Sequence, residues 1–274
     1  MVVRMARQSQ VSRLKRVLVR GTALATAVLL SIWPANAQGQ AQAQPMPPAP
    51  PAVRDCHSPT AATAISQLPN IGRAIKKRHR IRIVAFGAAP SARRDAPSGT
   101  YQVMIESFLE RSFKGLDVEI VNRGSSSELA RKAAERIKLE AALADANLVL
   151  WQLGTADALA QIPVDEFKQA VSETVMWLKD HKIDVVLVGL RYMRSMANDP
   201  HYQAIREAVH GVARQYGVLR VGRYEAVETM ERIRSQQGTP ASDTELTEAG
   251  FACMADYLAK AISAGLFAKD APPP

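Results

Sequence analysis

Sulfur, histidine and aromatic side chains are scarce: 274 residues hold two cysteines, five histidines and 5% Phe, Trp and Tyr. Neither cysteine stands in a Cys-x-x-Cys site, and His57, His79, His181, His201 and His210 lack the spacing of a metal cluster or of a general base, so no metal is expected. No glycine-rich loop cradles phosphates and no aromatic residues interleave with basic ones. Nucleotide and nucleic-acid readings therefore find no support, and no cofactor is expected. Beyond the first 37 residues no apolar run is long enough to cross a membrane.

What is present begins with charge. The formal net charge is +9. Arg4, Arg7, Arg13, Lys15, Arg16 and Arg20 lie in the first 37 positions, which contain no acid, leaving 29 basic residues against 26 acidic ones in the rest. The basicity thus belongs to the leader rather than to a binding face. Behind that basic stretch an apolar run extends from Gly21 to Trp33, and Ala35 and Ala37 supply the small residues that a signal peptidase accommodates. Residues 1–37 are expected to be a signal peptide, cleaved after Ala37, and the protein to be periplasmic or secreted. The run is about 13 residues, roughly 20 Å as a helix against a hydrocarbon core of about 30 Å, too short for a comfortable span. An uncleaved amphipathic anchor is the alternative.

Residues 38–54 are Gln, Ala and Pro with little to bury, and predict a flexible linker. A single domain follows over 55–270, large enough for its own core, and an Ala/Pro tail occupies 271–274. The domain is expected to be monomeric. Cys56 and Cys253 sit at its two ends. In an oxidising compartment they form a disulfide candidate that would clamp the N-terminal segment to the last helix; two separate buried thiols are the other reading.

Within the domain, short apolar runs predict strands at Ile81 to Phe86, Val118 to Val121, Leu148 to Leu153, Val185 to Leu190 and Val218 to Val221. Helical stripes separate them: Leu129, Ala133, Ile137 and Ala141; then Phe167, Val171, Thr174, Val175 and Leu178. The last helix carries Phe251, Met254, Leu258 and Ile262. Strands alternating with helices predict a three-layer α/β/α sandwich around a five-stranded parallel sheet, flavodoxin-like in kind. Its site lies beyond the carboxyl ends of the strands.

The segments at those ends carry a resemblance. Ile83-Val84-Ala85-Phe86-Gly87-Ala88-Ala89-Pro90-Ser91 resembles the strand and Gly-Asp-Ser of the first SGNH (GDSL) hydrolase block. Val121-Asn122-Arg123-Gly124 resembles the second block, whose Gly offers its amide to the oxyanion. Leu148 through Asp157, with Gly154-Thr155-Ala156-Asp157, is similar to the third, and Leu246-Thr247-Glu248-Ala249-Gly250-Phe251 to the stretch after the family's Asp-x-x-His. The four blocks occur in order across nearly the whole domain. The resemblance implies an esterase fold and also exposes what has changed. Ala89 stands at the nucleophile position, Ala156 at that of the oxyanion Asn, Glu245 at that of the His and Ser242 at that of the Asp; only Gly124 matches. An alanine has no oxygen to attack an acyl carbon, so the family's hydrolysis is expected to be lost.

Groups for a relocated chemistry are Ser91, Ser125, Asp157 and Asp243. Each also has a structural reading: serines after strands favour turns and caps, and Ser127 stands ready to cap a helix beginning near Glu128. The run Lys76-Lys77-Arg78-His79-Arg80, with Arg82, suits a solvated helix C-terminus more than an anionic surface, and Trp151 and Trp177 suit the core. The resulting expectation is an exported pseudo-hydrolase that binds a glycan, an acyl group or a protein partner. A working esterase with a displaced nucleophile is the rival.

Overall fold

The computed structural model describes residues 63–64, 67–78, 80–87, 101–125, 127–238 and 248–267. The expected leader, linker and tail, together with Cys56, Ala89, Ser91, Ser242, Asp243 and Glu245, lie outside the described residues.

The elements run β1 (Thr63–Ala64), α1 (Pro69–Arg78), β2 (Arg80–Phe86), α2 (Tyr101–Ser112), β3 (Asp117–Asn122), α3 (Ala130–Leu143), β4 (Leu148–Gln152), α4 (Thr155–Leu159), α5 (Val164–Asp180), β5 (Asp184–Val188), α6 (Pro200–Tyr216), β6 (Leu219–Val221), α7 (Arg223–Gln236) and α8 (Glu248–Phe267). The sheet order is β1-β6-β5-β4-β2-β3. Strands β2 to β6 are parallel, as the alternating pattern predicts. The antiparallel edge strand β1, paired with β6, is an addition to that expectation.

Side-chain alternation along the strands builds the two outer layers. Val84, Phe86, Val149, Trp151, Val185 and Leu187 face one helical layer, of α3, α5 and α6. Ile81, Ile83, Ala85, Leu148, Leu150, Val186 and Val188 face the other, of α1, α2 and α8. Ala133, Ile137 and Ala141 of the α3 stripe are buried, and so are all five stripe residues of α5. On α8, Leu258 and Ile262 are fully buried. Trp151 is buried in the core, and Trp177, half-buried, packs against the same core while its ring stacks on His181 with centroids 3.8 Å apart. Arg80 and Arg82, from the basic run, pair with Asp117 and Glu119 on the neighbouring strand.

The face of α6 is tied to α7 and β6 by one carboxylate. Glu225 lies 3.0 Å from both Arg206 and His210 and 3.4 Å from Arg220. Burial alone would raise its pKa, but the His210 hydrogen bond and then the Arg220 charge outweigh it and hold the group at about 2. A folded-state pKa below the ordinary 4.5 means that this stability is present above pH 4.5 and lost as pH falls toward 2. Glu225→Gln is expected to cost about 2 kcal/mol at pH 7, given the partial exposure of the site, and to flatten that acid limb. Urea unfolding from pH 7 to 2.5 measures both; an unchanged acid limb in the variant would refute the assignment.

Candidate functional site at the carboxyl ends of the strands

The chain passes from β2 to β3 on one side and then crosses to β4 on the other, so the topological switch lies between the carboxyl ends of β2 and β4. Gly87 closes β2 there with φ +98°, and a Cβ on it would stand 1.9 Å from the carbonyl oxygen of Gln152 at the end of β4. Two strand ends approach too closely for any side chain. Gly154, φ +95°, then turns the β4 strand into α4 against the side chain of Leu190.

The loop after β3 is held from several directions. Arg123 donates its amide to Ala85 O at 2.8 Å, continuing the pairing one residue past β3. Arg136, from α3, donates to Arg123 O and to Glu128, both at 2.7 Å, and stands 5.9 Å over the Phe86 ring. Gly124, the residue that matches the family's oxyanion donor, donates its amide to Asn122 Oδ1 at 2.8 Å. The amide is therefore engaged in a local Asx turn. Ser125, next along, is exposed.

Helix α3 starts differently from the sequence expectation. Ser127 does not cap it: the residue sits in the left-handed region at φ 57°, and the N-cap position falls on Leu129, which has no side-chain oxygen. The cap comes instead from Asp157 on α4, whose Oδ1 accepts the Ala130 amide at 2.9 Å. Asp157 is 2% exposed. Burial raises its pKa above the ordinary range, opposed by the Ala130 amide and by those of Asp157 and Gly154.

Ahead of it, Ala156 offers only a methyl group, and the Thr155 hydroxyl accepts the Arg191 amide at 2.9 Å, joining the loops after β4 and β5. The Tyr202 hydroxyl donates to Arg191 O, fastening the same loop to α6. Of the described histidines, His181 stacks on Trp177 and His210 bonds Glu225. No serine–histidine hydrogen bond is found among the described residues. None of their His, Cys, Asp and Glu side chains form a group of three or more that could hold a metal. Cys253 is buried on α8.

The structure thus brings Gly124 and Ser125 into one loop and Ala156 and Asp157 onto one short helix. Sequence reasoning missed Asn122, Thr155 and Arg136. Asn122 carried a readable signal, since Asn-x-Gly after a strand is the pattern of an Asx turn. The partners of Thr155 and Arg136 are distant in sequence and left none.

The profile of the non-GDSL lipase-like family matches residues 55–267. No curated protein matches the sequence. Among solved structures, the chain is similar to the acetylxylan esterase Axe2 from Geobacillus stearothermophilus, at 18% identity, covering 66% of this chain and 94% of that one with a TM-score of 0.52. It is also similar to LAE5, an alpha/beta hydrolase enzyme from the metagenome of Lake Arreo, Spain, at 15% identity, covering 67% and 95% with a TM-score of 0.54. At these identities the likeness is one of fold.

Proposed function

Because the chain belongs to the non-GDSL lipase-like family while Ala89, Ala156, Ser242 and Glu245 stand where the resemblance puts the nucleophile, the oxyanion Asn, the Asp and the His, we propose that it is an exported pseudo-hydrolase. In this reading it binds a glycan or acyl-bearing ligand at the carboxyl ends of its strands and does not cleave it. One observation carries the reading: of the two backbone and side-chain donors that would hold an oxyanion, Gly124 gives its amide to Asn122 and Ala156 has none to give. Loss of one such donor lowers turnover by roughly 10²- to 10³-fold, and loss of a nucleophile leaves only the residual rate supplied by binding. The glycan or acyl class is supported by the fold neighbour that is an acetylxylan esterase. Export is supported by the basic, apolar and Ala-Asn-Ala pattern of the first 37 residues.

The test is hydrolysis of 4-nitrophenyl acetate by the purified protein. Rates within about twofold of the uncatalysed background are expected, since little of the roughly 10³-fold residual is left without an oxyanion hole. Turnover well above background that disappears in Ser91→Ala would replace this reading with an esterase using a displaced nucleophile.

A further inference from the structure

Strand β3 ends the sheet: it is bonded to β2 on one side and, among the described residues, to no strand on the other. Arg123 donates its amide to Ala85 of β2, and backbone groups alternate in direction along a strand, so Val118, Ile120 and Asn122 point theirs outward. A row of outward amides is a template for one more strand, and copies of the same chain are the nearest supply. Two of these amides are already taken, by side chains of α2. Glu106 Oε1 accepts the Ile120 amide at 2.7 Å, and Glu110 Oε1 accepts the Val118 amide at 3.2 Å.

The two spacings match. Four residues of helix rise about 6 Å and two residues of strand advance about 6.6 Å, so glutamates one turn apart meet successive outward amides when helix and strand run antiparallel. Met104, Ile105 and Leu109 of the same helix are buried and hold it in that register. The carboxylates thus stand where the carbonyls of a neighbouring strand would. What they cover suits a second copy of this strand. Antiparallel pairing centred on Ile120 sets Val118 opposite Asn122 of the second copy, with outward groups on both, and Asp117 opposite Arg123 of the second copy. Asp117 and Arg123 are exposed and now sit in surface ion pairs with Arg80 and Glu140. Opposite charges placed across such a pair of strands are stabilising.

We infer that the β3 edge is a latent self-association surface for a second copy of this chain, kept closed by Glu106 and Glu110. Sedimentation equilibrium of the purified protein tests it. Wild type is expected to stay monomeric to about 1 mM, whereas Glu106→Ala/Glu110→Ala, with both amides released, forms a dimer with Kd below about 100 μM, a weak interface of small area. Glu106→Gln/Glu110→Gln keeps an acceptor oxygen at both positions and stays monomeric. Asp117→Arg added to the alanine pair places like charges opposite one another and weakens the dimer about tenfold, which general stickiness of a loosened fold would not do. Amide exchange in wild type needs no variant: the Ile120 amide, on an edge strand, is expected to exchange at least about 100-fold more slowly than in the unfolded chain. An alanine pair that remains monomeric at about 1 mM, a glutamine pair that dimerises as tightly as the alanine pair, a dimer indifferent to Asp117→Arg, a wild type that dimerises as tightly as the alanine pair, or an unprotected Ile120 amide would each overturn the assignment.

Discussion

Gly87→Ala is expected to destabilise the protein by about 4 kcal/mol or to prevent soluble expression, placing it among the most damaging single substitutions. Two separate effects combine. The φ of +98° is one that L side chains rarely adopt, and the added Cβ would lie 1.9 Å from Gln152 O, with the Gln152 carbonyl carbon at 2.8 Å. The obstacle is backbone of the adjacent strand, so no rotamer change removes it; β2 and β4 would have to part where Phe86 and Trp151 are register partners. Two control substitutions separate sterics from loss of glycine in general. In Gly154→Ala the nearest atom is Leu190 Cδ1 at 2.6 Å, the end of a side chain that can turn, and about 2 kcal/mol is expected. Gly211, inside α6, has nothing within 4 Å of an added Cβ. Gly211→Ala should therefore stabilise by about 0.5–1 kcal/mol through helix propensity. Urea unfolding of the three variants provides the ranking, and a Gly87→Ala protein within about 1 kcal/mol of wild type would contradict the close approach of the two strand ends.

Gly87 also shows what could be read before the structure and what could not. The apolar runs gave away the strands because a parallel sheet covered on both faces requires continuous hydrophobic segments. Their ends shifted by a residue or two: β5 begins at Asp184, a polar residue that an apolar run cannot announce, and stops at Val188 rather than Leu190. Two-residue β1 has no run at all. At the site, the missing chemistry of Ala156 was legible directly from residue type. The engagement of Gly124 was legible only in outline, through Asn122 two residues earlier. The α3 cap was misread because sequence favours local partners such as Ser127, whereas Asp157 reaches Ala130 from 27 positions away. The resemblance singled out the Gly87 segment, but the reason that only glycine fits is a contact with β4, which is a property of the sheet and not of the motif.

At the opposite end of the sheet Asp184 is to α1 what Asp157 is to α3, and the second large effect is expected there. Its carboxylate accepts the Asn70 amide at 2.9 Å, the Ile71 amide at 2.8 Å and Asn70 Nδ2 at 2.6 Å, and the residue is 6% exposed. Asp184→Ala strands two amides of the first turn of α1 beside the core, which is expected to cost about 3 kcal/mol, or roughly 6–12 °C in Tm for a domain of this size. Asp184→Asn keeps an oxygen for those amides and should cost about 1 kcal/mol at pH 7. The pH dependence has a sign opposite to that of Glu225. Burial, outweighing the Ile71 and Asn70 hydrogen bonds, raises the Asp184 pKa from 3.8 to about 6. The folded state therefore binds the proton first, and this contribution is complete below pH 3.8 and lost as pH rises through about 6. Wild type should thus gain stability relative to Asp184→Asn on acidification from pH 6.5 to 4, the difference between their urea midpoints widening across that window. A constant difference would mean that the buried carboxyl titrates as it does in the unfolded chain, and an Asp184→Ala protein as stable as Asp184→Asn would mean that the two amides of α1 do not depend on it.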